Sequence, residues 1–129
     1  MSAKIELIEA RDFVRAAPGG KVDLEAGKRL LTQIMEATVH LEEFEILIDV
    51  RRVEGAPLPA HELWLLAQHL LTYRERLQRR TAVLCPIERF DHARFFALCA
   101  EHGGLNVAAF SSYEEAINWL IAGESALRP

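Results

Sequence analysis

The sequence lacks most of the features that name a reaction. Two cysteines, Cys85 and Cys99, are too few for a disulfide framework. Both lie in apolar surroundings, as buried free thiols of a reducing cytoplasm do. No apolar run approaches the ~20 residues needed to span a bilayer. The opening MSAKIELIEARDF places charges where a signal peptide needs an apolar core. These absences suggest a cytoplasmic, bacterial-style protein without a targeting segment. The formal net charge of -4 argues against a nucleic-acid partner, which asks for a basic footprint.

Chemical motifs are equally sparse. The five histidines form no metal pattern: His61 and His69 stand eight apart, with no cysteine or carboxylate at ligand spacing around both. Asp91-His92 is an isolated pair. No glycine-rich loop cradles a phosphate, because Gly19-Gly20 and Gly103-Gly104 read as a turn and a helix stop. Phe90, Phe95 and Phe96 are spaced as core and not as a base-stacking platform. No metal, cofactor or catalytic residue is assigned.

What is present is a clear alternation of periods. KIELIE and DFVRAA alternate as two short strands joined by EARD, which reads as an antiparallel hairpin. PGG, residues 18–20, breaks the chain. From Asp23 to about Leu41 the period is helical, with Leu24, Leu30, Leu31, Ile34, Met35 and Leu41 on one side. Gly27 falls in that apolar stripe, which suggests close packing on a sheet. Ile46 to Val50, apolar except for Asp49, is a run suited to a central strand covered on both faces. Pro59 fits the first turn of a helix from about Ala60 to Gln78. Thr81 to Cys85 is a second buried strand. Arg89 to His102 is helical, and Gly103-Gly104 ends it. Asn106 to Phe110 is a short strand. Ser112 and Glu115 form a capping box for a helix from Tyr113 to Ala122, ended by Gly123 and a loose tail.

The order ββαβαβαβα means one α/β domain over residues 1–129, with its core at about 4–122. The sheet is mixed, with a leading hairpin and four helices. In order and spacing, the hairpin, VDLEAGKRLL, ILIDVRRVEG, TAVLCPIERFDHARFF and VAAFSSYEEAINWL resemble a STAS domain of the SpoIIAA-like family. The resemblance implies a small cytoplasmic domain for protein interaction or ligand binding, without catalysis. It also implies a regulatory serine in the loop after the central strand, phosphorylated in anti-sigma-factor antagonists. Here that loop reads VRRVEGAPLPAHE and holds no Ser, Thr or Tyr. The phospho-switch does not carry over.

Two candidate regions remain. Asp49, Arg51 and Arg52 follow the central strand, where open α/β sheets place ligands. There they either bind an anion with the next helix N-terminus or pair locally. In the helix that follows, Leu63, Leu66, Ala67, Leu70, Tyr73 and Leu77 form the stripe expected to face the sheet. Trp64 and Leu71 form a second apolar line, and Leu65 points away from both. That surplus either packs under a neighbouring helix or meets a partner. With Pro57 and Leu58 from the loop, it makes the candidate interaction surface of a homodimer or other protein complex. The alternative is a small carrier for a hydrophobic or anionic, lipid-like molecule. Its pocket would open beside the helix, with Arg51 or Arg52 on a headgroup. RERLQRR either pairs with anionic lipid at a membrane surface, as a peripheral contact, or stays solvated. His92 shares a stripe with Ala93, Phe96, Cys99 and Ala100 and reads as a hydrogen-bonded core residue. Cys85 reads as a core thiol; only with His92 would it be a nucleophile.

Overall fold

In a computed structural model, residues 3–8 and 13–126 are described, with side chains over 14–122. The strands are β1 (Ala3–Ile8), β2 (Phe13–Pro18), β3 (Gly20–Lys21), β4 (Glu45–Asp49), β5 (Val53–Glu54), β6 (Thr81–Leu84) and β7 (Val107–Phe110). The helices are α1 (Leu24–Ala37), α2 (Ala60–Leu71), α3 (Phe90–His102) and α4 (Tyr113–Ala126). The main sheet runs β1-β2-β4-β6-β7. β1 and β2 pair antiparallel, and every later pairing is parallel. The expected hairpin is therefore present, although its EARD joint lies outside the described residues.

Alternation along the central strands divides the core. Ile46, Ile48, Val83 and Cys85 join the larger cluster with α1, α2 and α3. Leu47, Ala82 and Leu84 face the other way and meet Ala116 and Leu120 of α4. Three helices thus cover one face and α4 covers part of the other. All five residues of β4 are buried, as a run covered on both faces requires.

Several boundaries differ from the sequence reading. Asp23 caps α1 by accepting from the Ala26 N–H at 2.8 Å. That helix stops at Ala37 and not near Leu41. Thr38 is fully buried, and its hydroxyl donates to the Ile34 carbonyl at 2.9 Å. Helix α2 ends at Leu71 and not Gln78. The Tyr73 and Arg74 N–H groups bond back to the carbonyls of Leu70 and Leu71, three residues earlier, so the chain tightens out of the α-helix. Conversely, α4 continues through Gly123 to Ala126, so Gly123 does not end it. The Glu115 N–H does meet the Ser112 Oγ at 3.3 Å.

The arginines after α2 are largely engaged within the chain. Arg76 donates to the Met35 and Thr38 carbonyls, each at 2.9 Å, at the C-terminal end of α1. Arg79 pairs with Glu43 and Glu45, both at 3.0 Å. Arg80 donates to the Trp119 carbonyl at 2.8 Å and lies over the Trp119 ring.

A small element was not legible in the sequence. β3 and β5 pair in parallel, Gly20 with Val53 and Lys21 with Glu54. This two-residue ladder ties the loop after β4 to the turn after β2.

Candidate functional site

Asp49 points to the α4 face, as alternation from Ile48 requires. It is 4% exposed. Arg51 grips it with a fork: Nε donates to Oδ1 at 2.9 Å and Nη2 to Oδ2 at 2.8 Å. The Arg51 N–H donates to Oδ1 at 3.1 Å, and Arg15 Nη2 reaches Oδ2 at 2.9 Å. Burial alone would raise the Asp49 pKa. The Arg51 hydrogen bonds and charge, then Arg15, outweigh it and hold the carboxyl below its ordinary value. Arg51 also lies over the Tyr113 ring of α4. Of the two readings of this cluster, local pairing is the arrangement observed. Arg52 is exposed and does not join it.

The concave feature lies on the opposite face. A cavity of about 150 Å³ opens beyond the carboxyl ends of β2, β4 and β6. Ile48, Val83 and Cys85 line it from the sheet, Gly27, Leu30 and Leu31 from α1, and Leu63 and Leu66 from α2. Ala93 and Phe96 line it from α3, and Val53, Ala56, Pro57 and Leu58 from the loop. The lining is apolar except for Arg89, in the single 3₁₀ turn Ile87–Arg89 before α3. Arg89 Nη2 donates to the Gly55 carbonyl, a second tie on the loop after the β3–β5 ladder. Gly55 has φ +85°, a backbone state that other residues rarely adopt.

The sequence candidates separate accordingly. Pro57 and Leu58 line the cavity. Arg51 and Arg52 do not; the arginine at its edge is Arg89. Applying the strand-end rule to β6 as well as β4 would have singled it out. Gly27 packs against Leu66 of α2 and not against the sheet: a Cβ there would lie 3.1 Å from Leu66 Cδ1. Trp64 and Leu65 are 49% and 37% exposed at the start of α2. Leu71 is only 7% exposed and packs on Gly103 at the end of α3. It therefore leaves the expected interaction surface, because the neighbouring helix covers it.

The thiol and histidine candidates also part. Cys85 is buried, its Sγ donating to the Phe110 carbonyl at 3.5 Å, and burial pushes its pKa up. A raised pKa leaves little thiolate. His92 is exposed on α3 and not a core residue, and Phe95 is likewise partly exposed. His69 lies 3.1 Å from Thr32 Oγ1, joining α2 to α1. Among the described residues, no group of three or more His, Cys, Asp or Glu is placed to hold a metal, and no helix is long and apolar enough to cross a membrane.

No family model and no curated protein matches the sequence. Solved structures do match. One is an uncharacterized protein of the DUF3478 family with a SpoIIAA-like fold from Shewanella loihica PV-4. It is 18% identical with a TM-score of 0.60, covering 92% of this chain and 93% of that one. Another is the anti-sigma factor antagonist SpoIIAA in its unphosphorylated form. It is also 18% identical, with a TM-score of 0.57, covering 93% of this chain and 98% of that one. The chain has the SpoIIAA-like, STAS-type fold.

Proposed function

We propose that this chain is a non-enzymatic binding module that takes a small apolar ligand into the pocket beneath the loop 51–59. The cavity carries this reading. It is concave, almost wholly aliphatic, and lies beyond the strand ends, where α/β sheets place ligands. An apolar cavity of about this size stays dry and accepts a molecule as large as benzene. The loop has no hydroxyl to phosphorylate, so occupancy of the pocket, and not serine phosphorylation, is the input that this loop can register.

Titration with toluene, followed in methyl NMR spectra, tests the proposal. Saturable shifts at Ile48, Leu66 and Val83 are expected. Absent shifts, or shifts scattered over the surface, would sink the pocket as a binding site.

A second reading rests on Trp64 and Leu65, which leave apolar surface open on the first turns of α2. On it, the module self-associates or docks a protein through that patch. Sedimentation across a concentration series tests this, with Trp64→Glu as the disrupting variant. A monomer at every concentration removes the homodimer.

A further inference from the structure

We infer that the ligand of this pocket is a short monocarboxylic acid, and that Arg89 receives its carboxylate by giving up the Gly55 carbonyl. This rests on the pocket reading above and adds the chemical class of the occupant.

Among the described residues, Arg89 is the one charged side chain lining an otherwise apolar cavity. Among the described residues it has no carboxylate partner; its guanidinium donates to the Gly55 backbone carbonyl. The acids nearest to it in sequence, Glu88 and Asp91, are exposed and form no ion pair with it. A guanidinium holds a neutral carbonyl with one donor of its fork, whereas a carboxylate engages two and carries the opposite charge. Exchange of one for the other is therefore favourable once an anion is delivered. Helices α2 and α3 both begin at this end of the fold, and neither N-terminus has a side-chain cap, so the local field also favours negative charge.

Size limits the rest of the molecule. A cavity of about 150 Å³ accommodates an apolar body on the order of six carbons. A full-length acyl chain would not fit inside it, which favours a free short acid over a membrane lipid. The exchange has a structural consequence. Gly55 belongs to the loop that roofs the pocket, so an acid that takes Arg89 unties one of the contacts that hold the loop. The β3–β5 ladder and the Arg51–Asp49 bonds remain.

The test compares hexanoate with 1-hexanol, which have equal chain length and differ in charge, by NMR titration of the full chain. Hexanoate is expected to bind about tenfold tighter, the worth of a charge-assisted hydrogen bond. The Gly55 carbonyl carbon resonance should move with hexanoate and stay with 1-hexanol. In Arg89→Gln, which removes the charge, the preference for hexanoate over 1-hexanol should collapse. Arg89→Lys should retain part of it. Equal affinities in the wild type, or a preference that survives Arg89→Gln, would overturn the carboxylate assignment and leave the pocket standing. If neither probe gives saturable shifts at the pocket methyls, the pocket reading fails along with it.

Discussion

Leu71 and Gly103 are in such close contact that a Cβ on Gly103 would lie 2.4 Å from Leu71 Cδ1. The contact seats the last residue of α2 on the C-terminal end of α3. Leu71 is buried, so its side chain has packed core around it and little room to yield. Gly103→Ala is expected to destabilise the fold by about 1–3 kcal/mol, the usual range for overpacking. Urea denaturation checks this.

The same contact separates two residues that stand on one helix line. Leu71→Glu would bury an unpaired carboxylate, so it should lower stability by about 3 kcal/mol or more. Trp64→Glu, at a half-exposed position, should change stability by about 1 kcal/mol or less. Thermal melts of both variants distinguish them. Only the Trp64 variant is informative about association, since loss of oligomer in Leu71→Glu would follow from unfolding.

Gly27 faces Leu66 across the α1–α2 contact, with the cavity beside Leu66 on its open side. Leu66 therefore has somewhere to go. Gly27→Ala should gain about 0.5–1 kcal/mol from helix propensity while pushing Leu66 into the pocket. Higher stability with weaker toluene binding is the expected pair of results; denaturation and titration of the same sample measure both.

Asp49 contributes a pH dependence of known sign. Its folded pKa lies below the unfolded value because Arg51 and Arg15 outweigh the effect of burial. Its stabilisation is therefore complete above the unfolded pKa of about 4 and fades as pH falls through the folded pKa. Asp49→Asn should cost about 1–3 kcal/mol at pH 7. The low end is expected, because both arginines are partly exposed. The gap between wild type and variant should start to close as pH falls below about 4 and vanish below the folded pKa of Asp49, which chemical denaturation across pH records.

The fold was legible in the sequence where periodicity is strong. The apolar centre of β4, the amphipathic α1 and the Ser112 cap each follow from side chains acting locally. Boundaries set by distant contacts were not legible. α2 stops at Leu71, and the arginines after it serve α1 and β4, partners up to 41 residues away. The β3–β5 ladder is two residues long and carries no periodicity at all. For the site, strand-end reasoning singled out Asp49, Arg51 and Arg52, while Pro57 and Leu58, read as interaction surface, line the cavity. It did not consider Arg89, and the Arg51 it named folds back onto Asp49, on the face away from the cavity. Sequence alone does not show which face a residue takes after its strand has ended.

The central claim is that the space under the loop 51–59 is a dry apolar site able to take a ligand. A crystal of the protein pressurised with xenon tests it most directly, since xenon enters apolar cavities. Xenon density among Leu31, Ile48, Val83 and Phe96 is the expected result. Ordered water in that space, or a collapsed loop with no xenon there, would contradict it.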